Sequence, residues 1–203
     1  MQKKFENRDV LKALVQVRGD LSLIEQEFAI EAQVQRETAD WVPMWVDMEN
    51  SVRSDRHGAT AYRAITDEGT LLWYVCRDGK KKGYHSPASR AIDAFEDAAQ
   101  CWHLRREIKK NWSQLQALQM DLVLGRTSVD VTVADARGGG LCVMGIEGFM
   151  RRIGIAKVTR ISGRFAALLM RIEPQVGFAL YHAAAMKGIL PSTPQRNSET
   201  VLA

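Results

Sequence analysis

The residues best equipped for chemistry in this chain are cations, and they come in three runs. Arg77, Lys80, Lys81 and Lys82 surround a turn with Asp78 as the acid among them. Arg105, Arg106, Lys109 and Lys110 sit at the end of a long helical stretch. Arg151, Arg152, Lys157, Arg160 and Arg164 belong to a stretch without Asp or Glu from Arg151 to Arg171. Cations at this spacing neutralise phosphates, which supplies the sequence-independent part of nucleic-acid affinity. A cation at a helix C-terminus is also stabilised by the helix dipole with no ligand present. The phosphate reading therefore depends on the runs folding onto a common surface.

Nucleophiles and metal ligands are sparse. Gly138-Gly139-Gly140-Leu141-Cys142 leads into a helical stretch. A glycine-rich turn before a helix can hold an anion, and a cysteine there can have a lowered pKa. A tight turn followed by a buried cysteine explains the same residues. His57, His85, His103 and His182 are far apart and fit no metal motif, and no Cys-His arrangement is recognisable. Asp93 and Asp97 share the polar face of a helix, which solvation explains. No catalytic residue, metal site or cofactor is expected.

These side chains must be positioned by elements that the hydrophobic pattern outlines. With 46% hydrophobic and 26% charged residues, the chain has enough apolar material for a core. Asn7–Trp45 reads as helical, with Gly19-Asp20 as a break and Pro43 as a stop. Thr60–Thr66 alternates, Thr70–Arg77 is the strongest strand, and Lys82–His85 is a short third strand, joined by turns at Asp67-Glu68-Gly69 and Asp78-Gly79. Ser86-Pro87 reads as the start of a long helix with an apolar stripe of Ala91, Ile92, Phe95, Ala98, Ala99 and Trp102. Ser113–Leu124 is a second helix that Gly125 ends. Val129–Leu190 reads as helical and rich in small residues, with a hinge or turn at Gly138-Gly139-Gly140. It contains a Thr132–Asp135 capping box, a helix from Cys142 to Arg152, a helix from Gly163 capped by Ser162 and stopped by Pro174, and a last apolar helix from Val176. Ala167–Met170 and Val176–Leu180 are apolar enough to seed a core or a dimer contact.

Two segments resemble known DNA-binding motifs. Ala13–Arg36 resembles the Fis-type helix-turn-helix, through Ala13-Leu14, the turn Arg18-Gly19-Asp20 and the turn Phe28-Ala29-Ile30. The resemblance implies a recognition helix at Glu31–Glu37; the alternative is a plain helical hairpin. Tyr62–Trp102 resembles the DNA-binding domain of plant ethylene-response factors, through Tyr62-Arg63, Trp73, Arg77, Gly83, Pro87, Ala91, Ala94-Phe95 and Ala98-Ala99. That resemblance implies a sheet face in the major groove, with Arg63, Trp73 and Arg77 as readers and Lys80, Lys81 and Lys82 on phosphates. Against it stands a physical expectation. Leu72, Tyr74 and Cys76 on one side and Leu71, Trp73 and Val75 on the other make the central strand apolar on both faces, which points to burial on both faces.

The expected fold is thus α+β and mostly helical, with a central three-stranded antiparallel meander packed on a long helix. The expected segments are a helical 1–50, the meander with its long helices at 51–125, a helical 126–190 and a flexible tail at 191–203, and one compact body is favoured over two domains. The expected function is that of a nucleic-acid-binding regulatory protein of bacterial or phage-like type. The alternative is a protein-interaction or assembly module with another protein or a homodimer partner. Three scattered cysteines and the charged stretch Met1–Glu6 point to a cytoplasmic chain, and no apolar run is long enough for a membrane span.

Overall fold

The structure is a computed structural model that describes Val42, residues 44–66, residues 70–80 and residues 82–192. The helix-turn-helix resemblance at 13–36, Lys81 and the chain from 193 lie outside the described residues. The fold class is α+β, with helices and antiparallel strands both present. In chain order the elements are β1 (Met44–Ser54), β2 (Ala59–Thr66), β3 (Leu71–Arg77), β4 (Tyr84–Ser86), α1 (Ala91–Lys110), α2 (Trp112–Val123), β5 (Asp130–Thr132), α3 (Val133–Gly138), α4 (Val143–Arg152), β6 (Arg160–Ser162), α5 (Gly163–Leu169) and α6 (Val176–Met186). They fall into two compact units. One takes the described residues up to Ala99 with Cys142–Gly154; the other takes Gln100–Leu141 with the described residues from Ile155. The division falls inside α1, where an unbroken helical pattern gives the sequence no boundary to show.

The first unit is built on a four-stranded antiparallel sheet in the order β1-β2-β3-β4. The alternation along the sequence predicts three strands and leaves 44–50 in a helical segment. The added strand is β1, whose register against β2 jumps between Asp47 and Ser51. A bulge of this kind interrupts the period-two alternation by which a strand is recognised. Cross-strand partners share a face, so Val46, Ala64 and Leu72 lie on one side. With Val42 and Met44 they form a buried cluster, and Met144 from α4 packs against it. The other side carries Ala61, Ile65, Trp73 and Val75, all buried. The first turns of α1 reach this side: Ser86 Oγ donates to Asp97 Oδ2 at 2.7 Å, and the His57 ring stacks on Phe95 with centroids 5.6 Å apart.

Ser86-Pro87 does not start α1. Ser86 pairs with Trp73 at the end of β4, and its hydroxyl also accepts from Ala88 N. The helix begins only at Ala91. Its buried positions are Ala94, Phe95, Ala98 and Ile108, whereas Ile92, expected in the stripe, is 51% exposed.

The second unit is a helical assembly around a two-stranded ribbon, β5 with β6, that the sequence reading took as helical. Three-residue strands are too short to show an alternation. Each strand ends in the cap of the next helix. Thr132 and Asp135 form the expected capping box at α3, and Ser162 accepts from Phe165 N at α5. Leu115, Leu118 and Leu122 of α2, Ala166, Ala167 and Leu169 of α5, and Phe178, Leu180 and Tyr181 of α6 supply the core. Small residues set the spacing. A Cβ on Gly139 would sit 2.4 Å from the Phe178 carbonyl oxygen, so α3 and α6 meet at a distance that only glycine allows. Thr132→Ala removes the hydroxyl that binds both Asp135 N and the Asp135 carboxylate. It should cost about 1 kcal/mol in urea unfolding with an unchanged denaturant slope.

Candidate functional site

In the first unit, the expected readers are held by the sheet rather than projected from it. Trp73 is only 8% exposed, and its buried Nε1 has no hydrogen-bond partner among the described residues. The Arg63 guanidinium carbon lies 4.6 Å from the Trp73 ring centre, a cation–π contact. Asp47, fully buried, is the cross-strand neighbour of Arg63 on the same face. Arg77 is half-buried at the end of β3, opposite Ala59. Lys80 and Lys82 are exposed around the β3–β4 turn. The acid of that turn, Asp78, is bound by Arg53, whose Nη2 donates at 2.7 Å. That hydrogen bond holds the Asp78 carboxyl below its usual range. Arg53 thus adds a cation at this end of the sheet that the sequence reading did not include. Arg151 and Arg152 occupy the exposed last turn of α4.

In the second unit the cations have different roles. Arg105 Nε donates to the Gly140 carbonyl at 2.7 Å, and its guanidinium lies 5.8 Å from the Phe178 ring centre. This side chain clamps the glycine turn to the helical core. Lys110 is bound by Glu107 at 2.7 Å, while Arg106 and Lys109 are exposed. Lys157, Arg160 and Arg164 are exposed along β6 and the loop and helix turn that flank it, with Arg160 3.8 Å from Asp130. Phe165 and Leu168 of α5 are exposed beside Arg164, at 40% and 41%, and Ile172 follows at 69%.

A cleft of about 390 Å³ opens in the second unit between β5, β6 and α6, lined by Asp130, Thr132, Asp135, Arg160, Met186 and Lys187 among others. At its base Asp135 joins three groups. Its Oδ2 accepts from Thr132 N at 2.8 Å and from the Thr132 hydroxyl at 2.6 Å, and its Oδ1 lies 3.0 Å from His182 Nδ1. Burial pushes the Asp135 carboxyl up, but the bonds from Thr132 and His182 outweigh it and hold the group below its usual range. The His182 ring lies flush on Gly138, where a Cβ would come within 2.3 Å of Nε2. The couple ties α3 to α6.

The structure also joins a pair that the sequence reading did not recognise. His85 Nδ1 of β4 lies 3.4 Å from Sγ of Cys142, the N-cap of α4. Burial pushes the Cys142 thiol up, but the His85 ring and the backbone N–H groups of Gly145 and His85 outweigh it and bring it below the usual thiol value. Of the earlier signals only the cysteine before a helix pointed here. His85 is 57 residues away along the chain. Among the described residues no group of three His, Cys, Asp or Glu side chains could hold a metal ion, and no helix is long and apolar enough to cross a membrane. Comparison with protein-family models, curated proteins and solved structures finds no match to this chain.

Two expectations separate structural from functional charge. Arg105→Ala should lower stability by about 1–3 kcal/mol, through a lost charged hydrogen bond and lost packing, and leave any nucleic-acid affinity unchanged once folded. Because the folded pKa of Asp135 is depressed, its contribution is fully present above the unfolded value of about 3.9 and is lost as pH falls through the lower folded value. Asp135→Asn should therefore destabilise the protein at neutral pH and flatten the acid limb of a stability–pH curve.

Proposed function

We propose that this protein binds nucleic acid through its phosphates and acts as a regulator, without catalysis. The observation that carries the reading is the exposed cationic run of the second unit. Lys157, Arg160 and Arg164 face solvent in a stretch with no acid from Arg151 to Arg171. In such a stretch the field is not cancelled locally except where Arg160 approaches Asp130. In this reading the meander β2–β4, carried on α1, presents Lys80 and Lys82 as a further phosphate contact from its turn. Exposed Phe165 beside Arg164 adds an aromatic face of the kind on which unpaired bases stack.

Fluorescence anisotropy with a short labelled duplex and its single strand, titrated against salt, tests this. Binding should weaken linearly in log–log form. Replacing Lys157, Arg160 and Arg164 by Ala together should reduce the slope by about 0.9 per cation for duplex. No binding to either form at low ionic strength would sink the reading. A second reading draws on a separate observation: Phe165, Leu168 and Ile172 expose apolar surface at successive turns. As a protein-interaction or homodimer surface it predicts association in light scattering that Phe165→Asp abolishes and salt does not.

A further inference from the structure

We propose that Cys142 and His85 form a reactive thiolate–imidazolium pair, a site of reversible oxidation by small hydroperoxides. A neutral thiol is a weak donor and a weak acceptor, and a buried cysteine is ordinarily an inert small apolar group. Here polar groups surround Sγ. His85 Nδ1 stands at 3.4 Å, and the backbone N–H groups of Gly145 and His85 favour the charged form of the sulfur. An imidazole and backbone N–H groups beside a sulfur describe surroundings that favour an anion. Position 145 must be glycine for this arrangement, because a Cβ there would lie 2.9 Å from Sγ. Cys142 is also the N-cap residue of the ten-residue helix α4, whose first turn is its positive end.

The groups that could disturb the pair are few. On the neighbouring strand, Tyr74 lies with its ring centre 5.3 Å from that of His85, and its hydroxyl accepts from Gly83 N. On α4 itself, Glu147, Arg151 and Arg152 are exposed. No other titratable contact of Cys142 besides His85 is found among the described residues.

In the reaction, the thiolate attacks the terminal oxygen of a hydroperoxide. An S–O bond forms and the O–O bond breaks. The leaving alkoxide or hydroxide takes the proton held by His85 and departs as alcohol or water. Sulfur is oxidised by two electrons to the sulfenic acid and the peroxide is reduced by two. His85 remains neutral; one small-molecule thiol then condenses with the sulfenic acid to a mixed disulfide with loss of water, and a second displaces the cysteine from it, leaving as the oxidised disulfide.

Exposure makes the test discriminating. Cys76 and Cys101 are each more exposed than Cys142, so access alone ranks Cys142 last. The full chain is treated with hydrogen peroxide near neutral pH, sulfenic acid is trapped with dimedone, and each cysteine is read by peptide mass spectrometry. Labelling of Cys142 at least about fivefold faster than of the other two is expected; a smaller ratio overturns the proposal. His85→Asn should slow Cys142 by about fivefold or more. A smaller effect in a variant with unchanged circular dichroism overturns it. Should that variant not fold, the parent chain still decides. Alkylation of Cys142 by iodoacetamide should rise with a midpoint below the ordinary thiol value of about 8.5, and a midpoint at or above that value overturns the assignment.

Discussion

A strand that is apolar on both faces can leave neither face in water, and β3 is such a strand. Leu72 is 1% exposed on one side and Val75 is fully buried on the other. Each buried aliphatic side chain of this size contributes about 1.5–3 kcal/mol relative to exposure, so covering both faces dominates the layout of the first unit. One face takes the first turns of α1, through Phe95 and the Ser86–Asp97 bond. The other takes α4, through Met144. Bringing α4 to that face also delivers its cap, Cys142, to His85 on β4. The contact between this thiol and the imidazole is thus a by-product of how the sheet is covered.

The same constraint decides what the sheet can offer a ligand. An open reading face needs exposed side chains, and Trp73 and its neighbours Ala61 and Ile65 are buried. Arg63 is spent on the Trp73 ring. Charge is accordingly left at the sheet's end, where Arg53 binds Asp55 and Asp78 and where Arg77, Lys80 and Lys82 belong to the end of β3 and the turn after it. In the second unit, small residues bring α3 against α6, and the ribbon β5–β6 sets the starts of α3 and α5. The cations of the 157–164 run are exposed outside the core, and Arg160 among them approaches Asp130 across the ribbon at 3.8 Å. Arg105 shows the contrast: an identical charge, bound to Gly140 and Phe178, does structural work.

Several local features could be read directly from the sequence because they rest on contacts within a few residues. The Thr132–Asp135 capping box, the Ser162 cap and the leucines of α2 are of this kind. The strands β2 and β3 were legible for the same reason, since alternation and β-branched content are local. What escaped depends on partners distant in the chain or on irregularity. The bulge in β1 hides its alternation. Ser86 pairs with Trp73 and binds Asp97 instead of capping a helix, a choice made by the sheet. The ribbon β5–β6 exists only because residues far apart in the chain meet, Asp130 with Ser162 and Thr132 with Arg160.

By itself the sequence determined the α+β class, the caps at Thr132 and Ser162, the burial of the central strand on both faces and the acid-free cationic run. These follow from side-chain chemistry and local spacing, which do not change when the chain folds. Only the tertiary structure decided which charges remain available. Arginines of the same type end over a tryptophan, on a carbonyl or in solvent, according to what the fold places beside them. The Cys142–His85 and Asp135–His182 couples belong to the same class of facts, because a hydrogen bond between distant side chains is a property of the packed molecule and leaves no periodic trace along the chain.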